Sequence, residues 1–342
     1  MTNKRIAWVD GVRFLAMAWI LFGHFVMIFT PNVEVQFEGI LGYVLYGITG
    51  KMAVACFCVL LGYFASKPSG KPFAGYVLER YLFFALQILI IESLFYLAFY
   101  FVPDQNYLSE EFPVLCQETW PVFQVIFRDA VQLQWNVIPT YWCVAEFVKG
   151  SMLIMLAHKA VQDRPFAVRF AVCAVLLAGA LYMGETWIAI CIMGWMLRLV
   201  LEIRIPNKAI LAALMIAMLI SIPWLIRRDE CSETFLLDGV ASAFALYILT
   251  QLPLLQRVIG NRVFEFLGRH CFEMFLLHTP VYYLAENLLV DLGWTRPPVW
   301  GYVIQFAAVY AITALLAVLW QWLAKKTILR PGRWLAGKCA QV

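Results

Sequence analysis

The chain has 342 residues, of which 63% are apolar and only 14% carry a charge. This composition excludes an ordinary soluble globular domain, in which about a quarter of the residues are charged. Apolar runs of about 18 residues or more recur along the whole length, which is typical of a helical membrane protein with many spans. The formal net charge of +4 is less informative than the places where the charges lie.

The hydropathy pattern predicts an all-α polytopic membrane protein, a single domain over 1–342 with its core at about 10–325. The ten predicted spans lie at 12–29, 43–64, 82–101, 138–157, 170–183, 187–201, 209–226, 236–255, 271–289 and 299–323. Only four of the 26 lysines and arginines fall on loops that this map places outside, and two fall within spans. Because basic residues collect on cytoplasmic loops, both termini are predicted to be cytoplasmic, including the basic tail at 326–342. We therefore expect a multi-pass protein of the cytoplasmic membrane, surrounded by a lipid bilayer.

The first predicted span carries two costly polar side chains on one face. Arg13 and His24 are eleven residues apart, which is about three helical turns, so both side chains project from the same side. Along the axis they are about 16 Å apart, which places Arg13 at the cytoplasmic surface and His24 near mid-depth. Asp10 lies one turn before Arg13 and is placed to pair with it. Titratable groups at such depth indicate either a function or hydrogen bonding between packed helices.

Other ionisable residues fall within the predicted spans, and each has a structural as well as a functional interpretation. Glu146 and Lys149 are one turn apart and could neutralise each other. Lys51 could extend to the outer surface, and Glu92 and Glu273 could be buried hydrogen-bonding groups, the latter with Arg269 as partner. His278, two residues before Pro280, is equally consistent with a structural and a working histidine. The list of candidates is Arg13, His24, Lys51, Glu92, Glu146, Lys149, Glu273 and His278.

The nine cysteines give no sign of a metal site. They form no CxxC pair and no His/Cys cluster with zinc spacing, so we expect no metal. Most lie in apolar segments, as small buried side chains do. Cys116 and Cys231 both fall on predicted outer loops, where a disulfide and two free thiols are the alternatives. The polar stretch at 102–136 contains an amphipathic segment, 122–134, of the kind that lies along a membrane interface.

The pair on the first span has a chemical interpretation. A histidine in mid-membrane can take the proton of a hydroxyl as that hydroxyl attacks an activated carbonyl. An arginine at the cytoplasmic end suits a phosphate group, which it binds through two parallel hydrogen bonds. Together they indicate a long phosphorylated donor that enters from the cytoplasm, and coenzyme A fits this description.

Four motifs in order resemble those of the acyltransferase-3 family of integral-membrane acyltransferases. The most specific is Asp10-Gly-Val-Arg13 through His24, an arginine, ten residues and a histidine on the first helix. The others are similar to the end of the family's second span, to its Trp–Glu span and to its His-x-Pro span. They are Phe57-Cys-Val-Leu-Leu-Gly-Tyr-Phe64, Tyr141-Trp-Cys-Val-Ala-Glu146 and Leu267-Gly-Arg-His-Cys-Phe-Glu-Met-Phe-Leu-Leu-His-Thr-Pro280. The resemblance covers roughly 10–325.

This resemblance implies O-acyl transfer, usually of acetyl, from cytoplasmic acetyl-CoA to a hydroxyl of a carbohydrate or cell-envelope glycan. It makes His24 the catalytic base and Arg13 a residue that binds or positions the donor. Glu146 and His278 would orient the base or the acceptor. No nucleic-acid partner is expected.

The sequence also departs from the family pattern. The family often has several arginines after its second span, whereas this chain has Arg80 there, with Lys67 and Lys71 nearby. We assign these three basic residues, with Arg13, to donor binding. A competing interpretation is a proton-coupled transporter of a small polar solute, in which Glu92, Glu146, Lys149 and His278 line a path. No inverted repeat supports that alternative.

Overall fold

The computed structural model describes residues 6–29, 51–66, 72–102, 106–201, 232–294 and 299–329, and also 207, 209–211, 213–214 and 217. Every regular element in this part of the chain is helical, which confirms the predicted all-helical class. The first six helices are α1 (Ala7–Phe29), α2 (Lys51–Ala65), α3 (Phe73–Phe99), α4 (Asn106–Glu111), α5 (Thr119–Gln132) and α6 (Trp142–Val161). The others are α7 (Phe166–Tyr182), α8 (Thr186–Val200), α9 (Ser232–Thr250), α10 (Pro253–Ile259), α11 (Arg262–Gly268), α12 (Cys271–Asp291) and α13 (Val299–Ala324).

Four helical segments among the described residues are long and apolar enough to cross a membrane. They are Ala7–Phe29, Phe73–Phe99, Pro139–Val161 and Trp300–Ile328. The bent pair formed by α9 and α10 raises this number to five if it is one broken span. The protein is therefore a membrane protein. Helices α2, α7 and α8 are apolar but shorter, so the ten-span topology and the orientation of the termini stay predictions.

The predicted span at 236–255 is not one straight helix. Helix α9 ends at Thr250, and α10 leaves it at an angle of 107°. The cause is Pro253, which has no backbone N–H to donate and excludes the helical conformation at the residue before it. Leu252 accordingly has φ −114° and ψ 84°, outside the α-helical region.

The chain divides into two compact units, each made of separate stretches of sequence. The first comprises Met1–Ile20, Gln36–Phe73 and Glu146–Arg269. The second comprises Leu21–Val35, Ala74–Ala145 and His270–Val342. The residues of α1 up to Ile20 belong to the first unit, and those from Leu21 onward belong to the second.

Close backbone contacts hold the first unit together. A Cβ atom added to Gly62 of α2 would lie 1.8 Å from the carbonyl oxygen of Cys191 on α8. One added to Gly194 of α8 would lie 2.0 Å from the carbonyl oxygen of Val59. Only glycine permits this separation, and small residues at helix crossings are the usual means of packing helices within a membrane. The first turn of α1 is held in the same way, because a Cβ at Gly268 would lie 1.7 Å from the Asp10 carbonyl oxygen.

Aromatic side chains fill much of the second unit. On α1, Phe25 stacks on Phe29 at 4.5 Å between ring centroids and meets the edge of Tyr282 of α12 at 6.2 Å. It also contacts Phe306 of α13 at 5.2 Å. Phe272 of α12 packs against two neighbouring phenylalanines of α3. Helix α12 thus lies in the aromatic core of this unit, where nearly half of its residues are buried.

The amphipathic segment predicted at 122–134 is helix α5, Thr119–Gln132. One face buries Val122, Ile126 and Asp129. Another face leaves Trp120, Phe123, Phe127 and Val131 exposed at helical spacing. An exposed apolar stripe of this kind is consistent with the predicted position at the membrane interface, which stays a prediction. Nearby, Cys116 is an exposed free cysteine, and Cys231 lies outside the described residues.

Candidate active site

Two of the predicted site residues meet in the second unit. The Nδ1 atom of His24 on α1 lies 2.7 Å from the Nε2 atom of His278 on α12. Their rings are stacked, with 4.9 Å between the centroids and 13° between the planes. His278 has no exposed surface, whereas His24 is partly exposed. Of the two rings, only that of His24 therefore has surface that another molecule could contact.

The hydrogen bonds around the pair determine which nitrogen carries each proton. The Nδ1 atom of His278 lies 2.5 Å from the carbonyl oxygen of Phe275, and a carbonyl only accepts, so this nitrogen donates. In a neutral imidazole the other nitrogen, Nε2, then has the lone pair. It accepts the Nδ1–H of His24, and the Nε2 atom of His24 is left as the free base. The sequence alone does not give this polarity.

A proline in α12 explains how the helix is anchored beside the pair. Pro280 has no N–H, so the carbonyl oxygen of Leu276, four residues earlier, loses its helical partner. The hydroxyl of Tyr141 donates to that oxygen at 2.6 Å. Tyr141 is fully buried, at the end of the 3₁₀ turn Pro139–Tyr141. This bond therefore gives the Leu276 carbonyl the donor that Pro280 lacks, and it anchors α12 two residues before His278.

Two threonines extend the network to the same turn. The Oγ1 atom of Thr279 lies 3.2 Å from Nε2 of His278 and 2.8 Å from Oγ1 of Thr140. Thr279 is buried, with 1% of its surface exposed. The turn Pro139–Tyr141 thus contacts α12 through both a tyrosine and a threonine hydroxyl. Spacing and charge did not mark Thr140, Tyr141 or Thr279 as candidates, because uncharged hydroxyls in apolar segments give no distinctive pattern.

Arg13 lies in the first unit, near the start of α1. Its Nη1 atom donates to Oδ1 of Asp10 at 3.0 Å, which confirms the pairing predicted from their spacing. The guanidinium carbon lies 5.1 Å from the centre of the Phe64 ring, as in a cation–π contact. Asp10 is buried, while 32% of the Arg13 side chain is exposed. Arg13 is therefore held from one side and remains accessible to an anion from the other.

The remaining predicted residues fall in several places. Glu146 and Lys149 form an ion pair at 2.8 Å, so the interpretation that they neutralise each other is confirmed. Arg80, on α3 in the second unit, has its guanidinium 5.5 Å from the centre of the Phe84 ring. Lys67 and Lys71 lie outside the described residues.

Glu92 differs from its expected hydrogen-bonded state. The residue is fully buried on α3, and within the described part of the chain neither carboxylate oxygen has a hydrogen-bond partner. Its electrostatic neighbours are Asp129 and Tyr141, both of the second unit. Asp129, in contrast, is well satisfied, since its two oxygens accept from Asn136 at 2.6 Å and from the backbone N–H of Val137 at 3.0 Å.

The helical fold is that of a membrane protein, and two of its helices bring a pair of histidines together. The model of the acyltransferase-3 family, described as an acyltransferase domain, matches residues 6–321 of the chain. The chain belongs to this family, as the motifs predicted, and is a membrane acyltransferase. Neither a curated protein nor a solved structure gives a significant match. Among the described residues, no group of three or more His, Cys, Asp or Glu side chains is arranged to hold a metal ion.

Proposed function

We propose that this protein transfers an acyl group, acetyl in the first instance, from cytoplasmic acyl-CoA to a hydroxyl of a carbohydrate or cell-envelope glycan. It would act from the cytoplasmic membrane as an O-acetyltransferase. The observation that supports this most is the histidine pair, in which His24 presents a free Nε2 and His278 accepts its Nδ1–H. A base oriented by a second group is the arrangement that activates a hydroxyl nucleophile.

In the proposed reaction, Nε2 of His24 takes the proton of the acceptor hydroxyl. The hydroxyl oxygen forms a bond to the thioester carbonyl carbon, and the carbon–sulfur bond breaks. The leaving thiolate then takes the proton from His24, so free coenzyme A and an O-acyl ester are the products. His278 stabilises the transient imidazolium of His24, because its Nε2 atom already accepts the Nδ1–H.

Arg13 is the proposed contact for a phosphate of the donor. Since α1 is one helix, Arg13 and His24 are about 16 Å apart along its axis, a distance that suits a long donor with phosphates at one end. Asp10 and Phe64 hold the guanidinium from one side, which leaves the other N–H groups for a ligand. Arg80, Lys67 and Lys71 are proposed to add positive charge for the same donor.

The experiment uses purified protein in nanodiscs with labelled acetyl-CoA. Wild type should bind acetyl-CoA saturably and release coenzyme A slowly. Arg13→Ala should lose binding, and His24→Ala should keep binding but lose turnover. Arg164→Ala is a matched control, since Arg164 is an exposed loop arginine. If wild type bound no acyl-CoA, the proposed donor would be wrong. Proton-coupled uptake of a solute in the absence of acyl-CoA would then favour a transporter.

A further inference from the structure

A second polar site lies in the first unit, at one end of its helices. A cavity of about 400 Å³ is lined by residues from the ends of four helices, within the range of small-molecule sites, about 300–1,000 Å³. Ser66 directly follows α2, and His158 belongs to the last turn of α6. Arg169 lies in the first turn of α7, and Arg198 in the last turn of α8. These helix ends include the basic loop 158–169 that the sequence places on the cytoplasmic side.

The two arginines of this cavity have donors to spare. They lie close enough to repel each other electrostatically. Arg198 donates from Nη1 to the carbonyl oxygen of Tyr63, at the long distance of 3.5 Å. Within the described residues, Arg169 makes no side-chain hydrogen bond, and its buried Nε has no partner. Each guanidinium is a planar fork of several N–H groups, so the described residues leave most of their donor capacity unused.

Two buried rings add further unpaired nitrogens to the same wall. His158 is 6% exposed, and neither of its ring nitrogens has a partner within the described residues. Trp195 is fully buried, and its indole N–H likewise has no partner there. The two rings meet edge to face at 5.9 Å. Because buried polar groups are nearly always hydrogen-bonded in native proteins, these unpaired nitrogens are available to a ligand in the cavity.

A purely structural role explains only part of this arrangement. Cationic side chains are favourable at helix C-termini, and the bond from Arg198 to the last turn of α2 is such a contact. That role does not use Arg169, His158 or the Trp195 N–H. Asp163 also lines the cavity, but it is exposed, and one carboxylate does not neutralise two guanidinium groups.

We propose that this cavity binds a phosphate group. The unpaired donors converge from three helices, and a phosphate offers more acceptor oxygens in more directions than a carboxylate does. The last turn of α2 lies between the cavity and Arg13. The ring centre of Tyr63 is 5.8 Å from the Arg198 guanidinium, and the ring centre of Phe64 is 5.1 Å from the Arg13 guanidinium. A nucleotide phosphate of acyl-CoA is one source of the ligand, which rests on the proposed function, and an anionic lipid headgroup is the other.

The test begins with inorganic pyrophosphate, which has the phosphate oxygens common to both sources and no nucleoside or lipid part. Wild-type protein in phosphatidylcholine nanodiscs should bind it saturably. Arg169→Gln and Arg198→Gln should each weaken binding by about ten- to a hundredfold, the effect of losing charged hydrogen bonds. Arg164→Gln, an exposed arginine of the same loop that does not line the cavity, should bind as wild type does. Arg198→Lys keeps the charge and should give an intermediate loss, which separates ligand contact from misfolding.

Two further arms separate the sources of the phosphate. If the donor occupies the cavity, Arg169→Gln weakens binding of coenzyme A and abolishes its advantage over dephospho-coenzyme A. If a lipid occupies it, coenzyme A binding is unchanged and retention of phosphatidic acid from mixed nanodiscs is lost. The proposal is overturned if pyrophosphate binds the wild type and both glutamine variants equally, or binds none of them. If pyrophosphate binding depended on the two arginines but acetyl-CoA did not bind at all, the cavity would still be a phosphate site and the proposed function would be contradicted.

Discussion

The Nδ1 atom of His24 lies 2.7 Å from the Nε2 atom of His278, although the two residues are 254 positions apart in the chain. The carbonyl of Phe275 fixes the direction of this hydrogen bond, since it forces Nδ1 of His278 to donate. The free lone pair of the network is therefore on the outer nitrogen of His24. In the proposed mechanism His278 is a positioning residue, so its removal should affect turnover rather than donor binding.

The first prediction concerns His278. His278→Ala leaves the Nδ1–H of His24 without its acceptor, so the reactive tautomer is no longer favoured and the imidazolium is less stable. We expect the rate of acyl transfer to fall about a hundredfold or more, with acetyl-CoA affinity unchanged. His278→Gln supplies an acceptor oxygen and should restore part of the rate.

Thr279→Val is the matched control for this prediction. It removes only the 3.2 Å contact to His278 and the bond to Thr140, and should lower the rate far less. Equal rates for His278→Ala and wild type, or equal losses for His278→Ala and Thr279→Val, would contradict the polarity assigned to the pair.

The second prediction is a double-mutant cycle on α12. Tyr141→Phe removes the hydroxyl that donates to the Leu276 carbonyl, and should cost about 1–3 kcal/mol of unfolding free energy. Pro280→Ala restores a backbone N–H for that carbonyl. The cost of Tyr141→Phe should therefore be smaller in the Pro280→Ala background, as measured by denaturant unfolding in detergent. Additive effects would show that the tyrosine does not substitute for the missing N–H.

The third prediction concerns the crossing of α2 and α8. Gly62→Ala places a Cβ atom 1.8 Å from the Cys191 carbonyl oxygen, so the helices must separate. We expect a loss of about 1–3 kcal/mol in unfolding free energy, as for other overpacked sites. Gly179→Ala on α7 is the control, because a Cβ there meets no atom within 4 Å. A stable Gly62→Ala variant would contradict the close packing.

The fourth prediction concerns donor binding by Arg13. Arg13→Lys retains the positive charge but loses the planar fork of donors, whose central carbon lies 5.1 Å from the centre of the Phe64 ring. Equilibrium binding should show acetyl-CoA affinity about tenfold weaker in this variant and weaker still in Arg13→Ala. Arg262→Lys, an exposed residue at the start of α11, should bind as wild type does. If both Arg13 variants kept full affinity, Arg13 would have no part in donor binding.

Local patterns in the sequence predict much of this protein. Apolar runs give the helices, and one-turn spacing gives the Asp10–Arg13 and Glu146–Lys149 pairs. The bend at 251–252 was missed because hydropathy does not register a proline, although Pro253 was visible as a helix breaker.

Contacts between distant segments could not be predicted in the same way. Both His24 and His278 were candidates, but only packing of α1 against α12 brings them together. Tyr141 donates to the carbonyl of Leu276, which is 135 residues away in the sequence and lacks a helical donor because of Pro280. The cavity between the helix ends likewise combines four separate stretches, none of which carries a motif.

The most direct measurement compares single-turnover acyl transfer by wild type and His24→Ala, at equal amounts of folded protein and with acetyl-CoA bound to both. The account predicts that wild type transfers the labelled acetyl group to a glycan acceptor while His24→Ala, with its donor site intact, transfers none. Transfer by His24→Ala at the wild-type rate would show that the histidine pair is not the catalytic base and would contradict the mechanism.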